Sequence, residues 1–136
     1  MLMSNAIFPH NEAAMNGSER TKPRVETISV IGLGYVGLPT AALLASRGIN
    51  VIGVDVKQEA VDRINEGRAH IAEPDLDMVL NAAVSAGRLK ATTTPQPADV
   101  FMIAVPTPFK ENKTADMSLV EAALASLAPV LQKGNL

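Results

Sequence analysis

The 136-residue sequence contains no cysteine. Disulfides and thiolate metal ligands are therefore excluded, and so is a cysteine nucleophile within this chain. No other pattern predicts a metal site. Tryptophan is also absent, and aromatic residues amount to 3% of the chain, so few side chains could stack on bases. Because the formal net charge is −2, we expect no nucleic-acid partner.

Long hydrophobic runs are missing as well. No apolar run approaches the ~20 residues needed to cross a bilayer, and residues 1–23 lack the basic-then-apolar order of a secretory signal. We therefore expect a cytoplasmic protein with no membrane partner. Residues 1–23 have no hydrophobic period, which predicts a flexible N-terminal extension ahead of a domain over 24–136. His10 lies in this extension and is expected to be solvated.

A β-branched run that leads into a glycine turn is the strongest pattern present. The segment TISVIGLGYVGLP, residues 27–39, contains G-x-G-x-x-G. Gly32 would allow a sharp turn off a strand, Gly34 would let the backbone approach a pyrophosphate, and Gly37 would let a helix pack on the sheet. The pyrophosphate would lie at the helix N-terminus, where unpaired N–H groups and the macrodipole favour negative charge.

The surroundings of this turn favour a dinucleotide site over the alternative, a βαβ turn that binds nothing. A helix is predicted over residues 38–47, and a second strand, NVIGV, ends in Asp55. A carboxylate there can accept hydrogen bonds from both ribose hydroxyls, whereas a 2′-phosphate would face like charge. The predicted cofactor is therefore NAD rather than NADP, with Lys57 as a side chain that could soften this preference.

Two helices and two strands are predicted downstream. The hydrophobic spacing indicates helices over 59–65 and from Leu76 to Ala83. Residues 88–94 indicate a polar strand suited to a sheet edge, and residues 99–105 an apolar strand buried on both faces. His70 lies between the two helices and is expected to be a surface or capping histidine rather than a catalytic one.

Two prolines follow the fourth predicted strand, at Pro106 and Pro108. These prolines prevent the strand from continuing with regular backbone hydrogen bonds. Since the carboxyl ends of parallel strands line the ligand crevice of a doubly wound sheet, Thr107 is predicted to lie beside the cofactor. The alternative is a rigid loop that only ends the strand.

The end of the sequence predicts one more helix. Ser118 and Glu121 have the spacing of a capping box, and the helix should continue to Leu131 with a bend at Pro129. The alternation of strand and helix predicts an α/β fold, a Rossmann-type doubly wound parallel sheet. About four strands with flanking helices fit into the chain, so we expect a domain truncated after its first half, with one apolar edge open.

Four ordered motifs resemble the amino-terminal NAD-binding domain of the UDP-glucose/GDP-mannose dehydrogenase family. They are IGLGYVGLPT at 31–40, GVD at 53–55, EPDL at 73–76 and AVPTPF at 104–109. The EPDL and VPTPF variants are most similar to the UDP-N-acetyl-D-mannosamine dehydrogenase branch. The resemblance extends from about residue 25 to residue 136.

The resemblance implies an NAD-dependent UDP-sugar 6-dehydrogenase, an oxidoreductase of surface polysaccharide biosynthesis. Such enzymes oxidise the C6 alcohol of the sugar to a carboxylate, reduce two NAD, and form a thiohemiacetal on a cysteine that this chain lacks. No catalytic residue is assigned here, and the nucleotide sugar is expected to bind only with the missing domains. Matching positions imply cofactor contacts for Tyr35, Val36, Asp55 and Thr107. Full-length members are expected to be homo-oligomeric.

Two alternatives stay open. The first is a sister enzyme that acts on UDP-glucose, UDP-N-acetylglucosamine or GDP-mannose. The second is a non-catalytic NAD-binding module. In each case we expect the 136 residues alone to be inactive as a dehydrogenase.

Overall fold

The computed structural model describes Phe8 and residues 24–136. The predicted extension over 1–23 therefore lies outside the described residues, apart from Phe8. The strands and α-helices follow one another in the predicted order. In chain order the elements are β1 (Thr27–Ile31), α1 (Gly37–Ser46), β2 (Asn50–Val54), α2 (Gln58–Asn65), α3 (Leu76–Ser85), β3 (Leu89–Thr92), β4 (Val100–Ile103), α4 (Ser118–Leu127) and a 3₁₀ turn (Ala128–Val130).

Four parallel strands form one sheet in the order β3-β2-β1-β4. Ile28 of β1 is in register with Val51 of β2 on one side and with Val100 of β4 on the other. This is the order of the first half of a Rossmann-type doubly wound sheet plus one strand, which confirms the predicted fold class. Because the strands are parallel, their carboxyl ends lie along one edge of the sheet.

The two faces of the sheet carry separate hydrophobic clusters. Val30 of β1 is fully buried in the larger cluster, which includes Leu38 of α1 and residues of α2 and α3. Its neighbour Ile31 points to the other face and packs with Leu127 of α4, and Phe8 lies against this smaller cluster. The alternation of side chains along a strand thus places helices on both faces of the sheet.

The burial of β4 differs from the expectation. Its side chains were expected to be buried on both faces, but most are half-buried and Met102 is 38% exposed. β4 is the outermost strand of the sheet in the described part of the chain, so neighbours cover less of it. On its outer side the Leu136 N–H donates to the Asp99 oxygen at 3.1 Å, and the Phe101 N–H donates to the Leu136 oxygen at 2.7 Å. This is the hydrogen-bond pattern of a parallel neighbour.

The start of α4 also differs from the sequence prediction. Ser118 is the first helical residue rather than the cap, and the capping-box prediction is wrong, since no side-chain cap bond is present at Met117. The carboxylate of Asp116 takes this role instead, because its Oδ1 accepts a hydrogen bond from the Ser118 N–H at 3.0 Å.

The far end of α4 is shorter than predicted. The α-helix stops at Leu127 and continues as the 3₁₀ turn, which contains Pro129. Proline has no N–H to donate and its ring crowds the preceding turn. Pro129 therefore ends the α-helix rather than bending it, and Leu131 lies outside the helix.

Candidate nucleotide-binding site

The glycine turn joins the carboxyl end of β1 to α1, and two of its glycines are required by the fold. Gly32 has a φ of +96°, and a Cβ there would lie 2.7 Å from the carbonyl oxygen of Ala104. A Cβ on Gly37 would lie 1.7 Å from the carbonyl oxygen of Gly32. A Cβ on Gly34 would have no neighbouring atom within 4 Å among the described residues, so this part of the backbone is open to a ligand.

Backbone donors lie along the same turn. Within the described part of the chain, no acceptor is bonded to the N–H groups of Gly34, Tyr35 and Val36, which directly precede α1. The side chains of Tyr35 and Val36 are exposed, so these residues contribute their backbone rather than any buried contact. Unpaired donors at the positive end of a helix favour an anion such as a phosphate.

Asp55 lies at the carboxyl end of β2, beside the glycine turn. Its Oδ2 accepts a hydrogen bond from the Leu33 N–H and its Oδ1 accepts one from the Lys57 N–H, each at 3.0 Å. A carboxylate oxygen can accept two hydrogen bonds, so both oxygens retain capacity for ribose hydroxyls. The sequence predicted that Asp55 and the turn would lie together, and they do. The Lys57 side chain is exposed.

Leu33, between the first two glycines, anchors the turn. Its side chain is fully buried, and a Cβ on Gly53 of β2 would lie 2.9 Å from each of its δ carbons. Gly53 therefore leaves the space that Leu33 fills. No local pattern predicted this role for Gly53, although a glycine inside a strand indicates a close approach of another part of the chain.

His70 also contacts the turn, and this was missed. Its Nε2 lies 2.5 Å from the carbonyl oxygen of Leu33. A carbonyl oxygen only accepts hydrogen bonds, so the Nε2 nitrogen carries the proton. His70 was expected to be a surface or capping histidine rather than a catalytic one; it is half-buried, and its partner is the backbone of the glycine turn.

Thr107 lies three residues after Ala104, at the carboxyl end of β4. The Ala104 N–H donates to the Ile31 oxygen at 2.7 Å, which holds this end of β4 beside the start of the turn. Thr107 itself is exposed and has no hydrogen bond within the described residues. Beyond it, Phe109 pairs in antiparallel fashion with Ala115. The cofactor role of Thr107 stays a prediction.

Other kinds of site are not found in the described part of the chain. Over Phe8 and residues 24–136, no group of three or more His, Asp or Glu side chains could hold a metal ion. Nor does any helix in these residues have the length and apolarity to cross a membrane.

The parallel sheet, the glycine turn and Asp55 together define a dinucleotide-binding domain of the Rossmann type. The model of the NAD-binding domain of the UDP-glucose/GDP-mannose dehydrogenase family matches residues 26–136. The chain belongs to this family of nucleotide-sugar dehydrogenases, and the matched residues are part of its NAD-binding domain. The family resemblance and the NAD cofactor predicted from the sequence are thereby confirmed.

Curated relatives and solved structures agree with this assignment. The NDP-N-acetyl-D-galactosaminuronic acid dehydrogenase of Ralstonia nicotianae is 66% identical over 110 residues, which cover 81% of this chain and 26% of the relative. The UDP-N-acetyl-D-mannosamine dehydrogenase of Escherichia coli K12 is 62% identical with the same coverage. The structure of the UDP-N-acetyl-mannosamine dehydrogenase from Staphylococcus aureus superposes with a TM-score of 0.78 and 46% identity, over 80% of this chain and 27% of that one. The chain thus spans about a quarter of the length of these relatives.

Proposed function

We propose that this chain forms part of the NAD-binding domain of an enzyme that oxidises the C6 alcohol of UDP-N-acetyl-D-mannosamine to the uronic acid for surface polysaccharide biosynthesis. The observation that carries the proposal is that the unbonded amides of the glycine turn lie beside the Asp55 carboxylate. The Asp55 Oδ2 accepts a hydrogen bond from the Leu33 N–H of this turn at 3.0 Å. The substrate is supported by the EPDL and VPTPF motifs and by the relatives that are named for it.

The described residues fit NAD. The N–H groups of Gly34, Tyr35 and Val36 would bind the pyrophosphate, and the open space at Gly34 leaves room for it. The Asp55 carboxylate would accept hydrogen bonds from the adenosine ribose and would repel a 2′-phosphate. Thr107 would lie beside the cofactor at the end of β4.

NAD, when bound, accepts a hydride from the sugar carbon in each of two oxidation steps. The role of this chain in the reaction would be to bind the adenosine and the pyrophosphate, so that the rest of the cofactor is oriented towards the substrate. Gly32 and Gly37 shape the turn for this purpose. The cysteine that the family resemblance implies for the second oxidation is not among the 136 residues, so we expect no turnover from them alone.

A second candidate substrate is a nucleotide-linked N-acetyl-D-galactosamine. The relative named for the galactosaminuronic acid is 66% identical to this chain, compared with 62% for the Escherichia coli relative named for N-acetyl-D-mannosamine. Sequence identity over this part of the NAD-binding domain therefore does not discriminate between the two sugars. UDP-glucose, UDP-N-acetylglucosamine and GDP-mannose are further alternatives within the family, and a non-catalytic NAD-binding module is the alternative outside it.

Titration calorimetry on the purified chain tests the NAD site directly. We expect saturable binding of one NAD and weaker binding of NADP. The substitution Asp55→Asn should weaken NAD binding by about tenfold, because one charged acceptor is lost. It should also narrow the difference between NAD and NADP, because the charge that repels the 2′-phosphate is removed.

The substitution Glu59→Gln is the matched control, because it removes a carboxylate of similar size from the exposed surface of α2. It should leave both affinities unchanged. If Asp55→Asn kept the wild-type ratio of NAD to NADP affinity, the assignment of Asp55 to the adenosine ribose would be wrong.

A chimera tests whether residues 26–136 support catalysis within a full-length dehydrogenase. Residues 26–136 would replace the matching segment of the Escherichia coli UDP-N-acetyl-D-mannosamine dehydrogenase, to which this chain is 62% identical. We expect the folded chimera to form NADH from UDP-N-acetyl-D-mannosamine, and the same chimera with Asp55→Ala to form it far more slowly. A folded chimera that binds the sugar but reduces no NAD would contradict the proposal, and NADH formation by the 136 residues alone would overturn the expected inactivity.

A further inference from the structure

We propose that His70 is a positioning residue of the nucleotide site, which holds the peptide between Leu33 and Gly34 in the orientation that NAD requires. The proposal concerns a residue outside the glycine motif, on the loop between α2 and α3. The identity of the ligand rests on the proposed function, whereas the contact between His70 and Leu33 is present in the structure without any ligand.

The contact joins two distant parts of the sequence. His70 Nε2 lies 2.5 Å from the carbonyl oxygen of Leu33, and the imidazole is half-buried. Because the oxygen can only accept, the neutral ring must be the tautomer with its proton on Nε2, and the charged ring also carries a proton there. His70 therefore donates to Leu33 in either protonation state.

The direction of this carbonyl sets the direction of a donor in the turn. In a planar trans peptide the C=O of one residue and the N–H of the next point in opposite directions. The Leu33 carbonyl points to His70, so the Gly34 N–H points away from His70. This N–H has no acceptor among the described residues, and the space beside Gly34 is open. It is one of the donors assigned to the pyrophosphate.

The rest of Leu33 is held from other sides. Its N–H donates to the Asp55 carboxylate at 3.0 Å, and its side chain is buried against Gly53. The peptide that follows ends in Gly34, whose lack of a Cβ permits many backbone conformations. Without His70 this peptide could rotate while the Leu33 side chain stayed in place, and the Gly34 N–H would lose its fixed direction.

The backbone just before His70 is itself fixed at both peptide units of Ala69. The Ala69 N–H donates to Asp77 Oδ1 at 2.6 Å, and the Ala69 oxygen accepts from Arg63 Nη2 at 3.1 Å. Arg63 belongs to the last turn of α2 and Asp77 to the first turn of α3. Both helices thus hold the residue before His70, and this arrangement directs the imidazole towards the turn.

The test compares His70→Ala with His70→Gln in the full 136-residue chain. Glutamine keeps an N–H donor at a similar reach, so it should restore most of what alanine removes. For the wild type, the nitrogen chemical shifts of the ring should report the Nε2–H tautomer without NAD present. In His70→Ala, amide exchange at Leu33, whose N–H is bonded to Asp55, should be faster by about tenfold, and NAD binding should be weaker by about three- to tenfold, as expected for one lost hydrogen bond.

Glu73→Gln serves as the control, because Glu73 is an exposed residue of the same loop. It should change neither the exchange rates nor the affinity. The proposal is overturned if the neutral ring carries its proton on Nδ1, or if His70→Gln is no better than His70→Ala. Wild-type protein with the expected tautomer and exchange pattern, but without NAD binding, would support the His70 contact and contradict the proposed function.

Discussion

Ser29 is a polar residue in the middle of the hydrophobic part of β1. It is fully buried, and its hydroxyl oxygen has no hydrogen-bond partner in the described part of the chain. An unpaired buried hydroxyl has lost its contact with water and gained nothing in return, at a cost of about 1–3 kcal/mol. The position therefore favours a small apolar side chain.

We predict that Ser29→Ala leaves the free energy of unfolding unchanged or raises it by about 1 kcal/mol. Urea denaturation of the two proteins is the measurement. A loss of more than about 1 kcal/mol would show that the hydroxyl makes a stabilising bond in solution. Ser46→Ala is a useful comparison, because the Ser46 hydroxyl donates to the Leu43 oxygen at 2.7 Å and is exposed.

At the residue scale, local patterns predicted part of the site. The positions of Gly32, Gly37 and Asp55 around one turn could be predicted, because their spacing is typical of a strand, turn and helix; their contact with a cofactor stays a prediction. The position of His70 could not be predicted, because its partner Leu33 lies 37 residues away and no local pattern links the two. The sequence showed Gly53 only as a glycine inside a strand. The structure explains why glycine is needed there, because the Leu33 side chain packs against it.

At the scale of the turn and α1, two glycines should respond differently to the same substitution. A Cβ at Gly37 would overlap the Gly32 oxygen at 1.7 Å, whereas a Cβ at Gly34 would meet no atom of the described residues. We predict that Gly37→Ala destabilises the fold by about 3 kcal/mol or more. Gly34→Ala should change stability by less than about 1 kcal/mol but weaken NAD binding by about tenfold or more, because the added methyl occupies the ligand side.

Thermal unfolding and NAD titration of both variants measure this difference. Gly48→Ala is the comparison for backbone strain alone, because Gly48 has a φ of +86° and open space around it. If Gly34→Ala bound NAD as tightly as the wild type, the pyrophosphate would not lie against Gly34. Normal stability of Gly37→Ala would mean that α1 does not pack as closely on the turn as described.

The start of α4 should depend on pH through Asp116. The Ser118 N–H, and next its hydroxyl, lower the pKa of the Asp116 carboxyl below its ordinary value of 3.8 by hydrogen bonding to the charged form. Since the folded-state pKa is the lower one, this stabilisation is complete above about pH 4 and is lost as the pH falls through the folded-state pKa. Asp116→Asn should therefore flatten the pH dependence of stability between about pH 4 and pH 2. Urea midpoints measured across this range would refute the role of Asp116 if the two proteins lost stability in parallel.

Elements were predicted more reliably than their ends and their burial. The strand and helix periods placed every strand and every α-helix that the described residues contain. The cap of α4 was missed, because the Asp116 side chain binds the Ser118 N–H, which in a capping box would be bound by the Glu121 side chain. The burial of β4 was also missed, because an apolar run does not show whether neighbours cover it on both sides.

At the scale of the whole molecule, the sheet is open at β4. The outer side of β4 is paired at Leu136 alone within the described residues, so much of its backbone is unpaired there. A sheet of four strands with one open edge buries less surface than a complete doubly wound domain, and small domains have a net stability of only ~5–15 kcal/mol. Ligand binding should therefore make a visible contribution to the stability of this chain.

We predict that NAD raises the melting temperature of the chain and that NADP raises it less. Binding to the folded state alone adds about 2.7 kcal/mol when NAD is at one hundred times its dissociation constant, which corresponds to about 9 °C for a protein of this size. Differential scanning calorimetry over a series of NAD concentrations is the measurement. The shift should increase with the logarithm of the concentration, because the linkage is by mass action.

The same scan on Asp55→Asn connects this shift to the site. The carboxylate is expected to bind the adenosine ribose and to repel a 2′-phosphate, so its neutralisation should reduce the shift with NAD and bring the shifts with NAD and NADP closer together. Equal shifts with the two cofactors in the wild type would contradict the role of Asp55. An NAD shift that persists at its full size in Asp55→Asn would place the cofactor elsewhere on the sheet, because the glycine turn and Asp55 are joined at Leu33 and should act on the ligand together.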